Sequence, residues 1–235
     1  MNDWDNLIRA LVAALHGASP YTEPGFYSPP WLLIFLVPLS PLPRITAHFF
    51  PLLALGYAAH HSRKPLLIPV VALSVPFLSL MSTGNIDWIA MLGALSFGRL
   101  QAVMLSVKPQ AAGFALVAYL HRDRWRYLLP LAALVVAGYA LWRWPVVLIG
   151  ANPARERWNV SQVPYTWPIG IYALWRCWRD GDLMWGCIAS LSVSPYFSTI
   201  SLVPLHYKVA ERHRRIGVLL SVASWFYVVL VVMKP

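Results

Sequence analysis

Residues 127–149 read YLLPLAALVVAGYALWRWPVVLI, an apolar run in which Arg143 is the one charged residue. The hydrocarbon core of a bilayer is about 30 Å thick and an α-helix rises about 1.5 Å per residue, so roughly 20 apolar residues make one crossing. This run is long enough. Before it stands Arg122-Asp123-Arg124-Trp125-Arg126, a basic turn of the kind that stays on the cytoplasmic side of a span. The stretch predicts a transmembrane helix entered from the cytoplasm, and the rest of the chain extends that reading.

Comparable apolar runs recur on both sides of it. Leu66–Met81, Trp88–Val107 with a break at Gly98-Arg99, Gln110–Leu120, Val163–Trp175, Leu183–Leu205 with a break at Ser194-Pro195, and Ile216–Met233 all qualify as spans or parts of spans. Trp31–Ala59 holds Pro38, Pro41, Pro43, Arg44 and Pro51 and is expected to form two short helices that meet near Arg44. The length rule gives roughly seven to ten crossings. No internal repeat of the inverted-repeat kind is visible.

Composition agrees. Apolar residues make up 58% of the 235-residue chain and charged residues 12%, with a mean hydropathy of +0.56, against about 45–50% and about 25% in soluble domains. The fold class expected is all-α, a polytopic transmembrane bundle. It forms one membrane domain over 1–235, with an interfacial helix and loop over 1–30 and transmembrane helices over 31–235. No cleavable leader is recognisable, because the first apolar stretch contains Arg9.

The net charge of +10 gathers in short connections: His60-His61-Ser62-Arg63-Lys64, Arg122–Arg126, Arg176 with Arg179, and Arg212-His213-Arg214-Arg215. That is the positive-inside pattern, and it makes nucleic acid an unnecessary partner. Placing these loops in the cytoplasm leaves the N-terminus and the 151–162 loop on the outer face. Arg155 and Arg157 then break the rule, as a site for an anionic group would. Cys177 and Cys187 sit in no CxxC or Cys/His cluster, so neither a disulfide framework nor a structural metal is expected.

Charges in or near hydrocarbon are costly and therefore stand out: Asp3, Asp5, Asp87, Arg99, Lys108 and Arg143. Asp3 and Asp5 precede an amphipathic stretch, residues 6–16, with Leu7, Leu11, Ala14 and Leu15 on one face and Arg9 and His16 opposite. Either acid can cap that helix. Asp87 is placed to begin the helix at Trp88. Lys108 precedes a proline and follows an uncharged run, so it either wants an anionic partner or snorkels to an interface. Tyr21, Phe26, Tyr27 and Trp31, and again Trp158, Tyr165 and Trp167, form aromatic clusters that suit an interfacial belt or stacking on a sugar or prenyl chain.

Several of these pieces occur in one order. D-W-x-x-x-x-R-A and L-H-G-A-S-P-Y between Asp3 and Tyr21, F-Y-S-P-P-W-L-L from Phe26 to Leu33, G-N-I-D from Gly84 to Asp87, K-P-Q from Lys108 to Gln110 and the R-D-R-W-R turn together resemble the GT-C type glycosyltransferases that use polyprenyl-phosphate mannose. The chain is shorter than members of that class and lacks the spanning helix that precedes their acidic loop, so a short, N-terminally truncated relative is expected. The resemblance implies an integral protein of the bacterial plasma membrane that takes a sugar from a polyprenyl-phosphate donor on the outer face. It passes the sugar to a lipid or glycan hydroxyl with inversion. It also implies an acidic base in the first outer loop, matched here by Asp3, with Asp5 beside it. Lys108, Arg155 and Arg157 are the candidates for holding the departing phosphate, Asn85 and Gln110 for polar contacts, and Tyr21 and Tyr27 for contacts to sugar or lipid. No cofactor and no metal are required. Two other functions stay open at this point: a non-catalytic membrane subunit that keeps the fold and serves a partner in a complex, and a transporter of small molecules or lipids.

Overall fold

Prolines start many of the helices. The computed structural model describes residues 3–148 and 159–229. In it Pro51, Pro76, Pro109, Pro130, Pro168 and Pro204 each occupy one of the first two positions of a helix. The first-turn N–H has no intrahelical acceptor, so a ring that lacks N–H and fixes φ costs nothing there and presets the turn. Apolar runs that look continuous in the sequence therefore divide into shorter helices.

The described residues are all-α, without a strand. The helices are α1 Asp3–Leu15, α2 Leu32–Leu36, α3 Phe50–His61, α4 Leu67–Ala72, α5 Val75–Thr83, α6 Asp87–Gly93, α7 Arg99–Ser106 and α8 Pro109–Ala112. Tight 3-10 turns follow over Gly113–Leu128, then α9 Leu129–Trp142, α10 Trp167–Asp180, α11 Leu183–Val193, α12 Val203–Arg212 and α13 Arg214–Tyr227. Arg99–Ser106 and Pro109–His121 meet at 114°. The bend falls at Lys108, whose φ of −132° and ψ of 78° are extended because a following proline excludes the helical region.

The roughly seven to ten crossings expected from apolar length do not correspond to that many long helices. Among the described residues one helix, Asp123–Trp142, is long and apolar enough to cross alone, and the bent pair at Lys108 would make a second if it is one span. Glycines instead let short helices approach closely. A methyl group added at Gly186 of α11 would stand 2.2 Å from the Ala115 Cα, and one at Gly93 of α6 would stand 2.6 Å from the Leu105 backbone nitrogen.

Two apolar clusters result. One joins α1 and α2 to α6, α7 and the 113–128 turns, and the other joins α3, α4 and α5 to α12. The sequence places Leu7, Leu11, Ala14 and Leu15 on the apolar face of α1. The residues buried are Trp4, Leu7, Ala10 and Leu11, while Leu15 is exposed. The helix starts a turn earlier than expected, at Asp3, and this extends its buried stripe by one turn to Trp4, on the same face as Leu7 and Leu11. That stripe meets protein: the Trp4 ring lies 5.9 Å from Phe50, which lies 5.8 Å from Trp88. Cys177 and Cys187 are free thiols, both buried.

Candidate functional site

The turn between α5 and α6 gathers residues from far apart in the chain. α5 stops at Gly84, whose φ of 65° is left-handed and suits a residue without a side chain. The next residue, Asn85, turns its Oδ1 to accept the Ile86 N–H at 2.6 Å, and its Nδ2 donates to Asp3 Oδ2, also at 2.6 Å. Two residues on, Asp87 opens α6 with its carboxylate wholly inside the protein. The Lys108 ammonium stands 3.4 Å from Asp87 Oδ2. Two residues of backbone span at most about 7 Å, so the partner of Asp3 and the partner of Lys108 are near neighbours.

The two acids differ in what they are free to do. Asp3 is half-buried, with Oδ2 engaged by the Asn85 amide, and among the described residues no hydrogen bond or ion pair engages its Oδ1. Asp87 has no hydrogen bond to either oxygen, because the ammonium approaches off the hydrogen-bond axis. Among the described residues its one ion-pair partner is Lys108. In return the Lys108 cation, 13% exposed, is already neutralised inside the protein. As a contact for a departing phosphate it would first have to leave Asp87 uncompensated.

Cations with more freedom lie along α1. Arg44 Nη1 reaches Asp5 Oδ2 at 3.1 Å while 60% exposed. Arg9 Nε reaches Glu23 Oε2 at 3.1 Å and its guanidinium also donates to Asn6. The following loop is held by Tyr21, whose hydroxyl donates to the Ser28 carbonyl at 3.0 Å and whose ring lies 5.4 Å from Phe26. Burial pushes the Tyr21 phenol well above its ordinary range, so it stays a protonated donor. Tyr21 is thus a strut of the loop. Trp31 is a second one, its indole N–H donating to Ser106 at 2.9 Å.

Tyr27 and Gln110 meet elsewhere. With Phe114, Ser194 and Tyr196 they line a mainly apolar cleft of about 540 Å³ that begins at Pro109, directly after Lys108. Neither Asp3 nor Lys108 lines it. The residues singled out in the sequence therefore fall into two groups: Asp3, Asn85, Asp87 and Lys108 at the α5–α6 turn, and Tyr27 with Gln110 in the cleft. Asp5, two residues after Asp3 on α1 and so on another side of that helix, pairs with Arg44, and Arg155 and Arg157 lie outside the described residues. Sequence reasoning passed over Arg44 as a site residue. Its signal is that it is the only Arg, Lys, Asp or Glu between Trp31 and Ala59.

Among the described residues no group of three or more His, Cys, Asp or Glu side chains comes together to hold a metal ion. Comparison of the chain with protein-family models, with curated proteins and with solved structures gives no match in any of the three.

Proposed function

We propose that the chain is a polytopic membrane protein of the GT-C kind that transfers a sugar from a polyprenyl-phosphate donor to a hydroxyl of a lipid or glycan. The observation that carries the reading is the α5–α6 turn. Asp3, Asn85, Asp87 and Lys108, each singled out in the sequence, are linked there by a hydrogen bond and an ion pair although they span most of the first half of the chain. The membrane part is supported by the outward apolar faces of α9, α10 and α13, where Val136, Ile171 and Leu219 are among the exposed side chains.

In this mechanism Asp3 Oδ1 takes the proton of the acceptor hydroxyl as that oxygen attacks the anomeric carbon. The bond from the anomeric carbon to the donor phosphate breaks, its electron pair stays on the phosphate oxygen, and the sugar configuration inverts. Asn85 holds the carboxylate through Oδ2 and so aims Oδ1. Arg44, ion-paired with Asp5 as Lys108 is with Asp87 but 60% exposed, is the candidate cation for the departing phosphate.

The test is transfer of labelled sugar from polyprenyl-phosphate donor in reconstituted vesicles. The wild type transfers, and Asp3→Asn loses about 100-fold or more of the rate, the usual share of a general base. Equal rates would remove Asp3 from the mechanism. One observation favours a second reading: the closed Asp87–Lys108 pair, with both residues absent from the lining of the cleft, suits a non-catalytic subunit that retains the fold. No transfer by either protein supports that one.

A further inference from the structure

Polar side chains fasten α13 to the break between α4 and α5. Ser221 Oγ donates to the Val70 carbonyl at 2.6 Å, Ser224 Oγ accepts the Val75 N–H at 3.1 Å, and the Trp225 indole donates to the Leu73 carbonyl at 2.8 Å. The other neighbour of α13 is α12, so close at Gly217 that an added methyl would stand 2.6 Å from the Ala210 Cβ. His206 of α12 lies where these helices meet and is 5% exposed. Its Nε2 stands 3.0 Å from the Gly217 carbonyl and 3.1 Å from Ser221 Oγ, and its Nδ1 stands 3.2 Å from Ser74 Oγ.

A carbonyl only accepts, so Nε2 carries the proton of the neutral ring. Ser74 serves either charge state by turning its hydroxyl. It donates to a bare Nδ1, or it donates to the Val71 carbonyl at 2.7 Å while accepting from a protonated Nδ1. Hydrogen bonding is thus indifferent to a second proton, and charge decides. α4, α5, α8 and the 199–202 turn carry no charged residue. The titratable groups on the other elements packed against α12 are Asp87 of α6, paired with Lys108, the buried Cys187 thiol of α11, and Arg214 and Arg215 at the exposed start of α13. On α12 itself Tyr207 and Lys208 turn to Glu211, and Arg212 turns to Asp182. Among the described residues no carboxylate bonds to the ring, so a second proton would put an uncompensated cation inside the protein.

We propose that His206 is a proton-sensitive latch, which as neutral imidazole fastens α13 to α12 and α4 and on taking a second proton lets α13 go. Burial holds the imidazole below its ordinary value of about 6.5. The latch is therefore whole above about pH 6.5, where the docked and the released ring are both neutral, and weakens as pH falls below it, where the released ring takes the proton first. The inference does not depend on sugar transfer.

The experiment is hydrogen exchange of residues 214–227 in detergent, read by mass spectrometry from about pH 7.5 to about pH 5 and corrected for the intrinsic pH dependence of exchange. It compares wild type with His206→Gln, whose amide donates to Gly217 but takes no proton, and with His213→Gln, which removes the exposed histidine of the same connection. In wild type and His213→Gln the protection of α13 falls by up to about tenfold per pH unit below about 6.5, the most that one proton supplies, while that of α11 holds. In His206→Gln the protection of α13 stays level. Constant protection in the wild type overturns the latch without recourse to a variant, and so does a gain in acid, which means that the ring binds its second proton in place. Equal loss in wild type and His206→Gln, or parallel loss in α11, assigns the effect to other groups and overturns it too. A loss steeper than one proton allows does the same even where His206→Gln fails to fold.

Discussion

Among the described residues, Asp87 and Lys108 form an ion pair with little margin. The carboxylate is fully buried, neither oxygen has a hydrogen bond, and a single ammonium at 3.4 Å balances it. Breaking such a pair by removing one partner costs about 3–5 kcal/mol, whereas replacing both with apolar residues of similar volume is often neutral. Lys108→Met is therefore expected to lower stability by about that amount, and Asp87→Leu with Lys108→Met to recover most of it, read as thermal unfolding in detergent. Additive losses in the double variant would show that the two charges are stabilised by something other than each other. Half of this was visible in the sequence, since Lys108, uncharged on one side and followed by proline, already asked for an anion. Which anion was not visible, because Asp87 and Lys108 are brought together by the packing of α6 on α7, and only the tertiary structure records that. The hydrogen bond from Asn85 to Asp3 was hidden for the same reason. It depends on Gly84 ending α5 in a left-handed turn that aims the amide back at α1.

Between elements, what the sequence displays as continuous grease is organised by proline and glycine. In the sequence Pro51 reads as a break in an apolar run, whereas Pro130 and Pro204 lie inside runs read as whole spans. The structure uses them as first-turn residues, so the same signal yields more and shorter helices. Glycine carries the opposite information, which hydropathy does not record: how close two helices come. Gly186 of α11 and Gly56 of α3 illustrate the range. Alanine gains about 1 kcal/mol over glycine in a helix interior. At Gly56 nothing lies within 4 Å of the added methyl, so Gly56→Ala is expected to raise the melting temperature. At Gly186 the methyl would lie 2.2 Å from the Ala115 backbone. Overpacking of this kind costs about 1–3 kcal/mol or more and outweighs the propensity gain, so Gly186→Ala lowers the melting temperature. Shifts of the same sign at both positions would mean that α11 does not rest on the 113–128 segment as closely as described.

Across the whole molecule, composition is what raises the expectation of a lipid environment, since 58% of the residues are apolar against about 45–50% in soluble domains. The surplus is on the outside: Val136 and Leu141 of α9, Ile171 of α10, and Leu219 and Phe226 of α13 are all more than 60% exposed. Composition could not say which runs would pack inward, since hydropathy is equally high in α9, which is mostly uncovered, and in α11, which is mostly covered. The uncovered face of α9 offers a decisive check on lipid contact. A lysine at the centre of a lipid-facing helix costs about 2.5–3.5 kcal/mol on insertion scales, a factor of roughly 100 in the partition between inserted and non-inserted forms. Val136→Lys is therefore expected to lose most of its carbonate-resistant membrane fraction. Trp125→Lys, also exposed but within the basic turn where a long cation reaches water, keeps it. If α9 faced water instead, the Val136→Lys protein would be recovered at least as well as wild type, because removing an apolar side chain from a wet surface lowers aggregation. The opposite signs of the two outcomes make yield in the washed membrane fraction sufficient to decide between lipid and water at that surface.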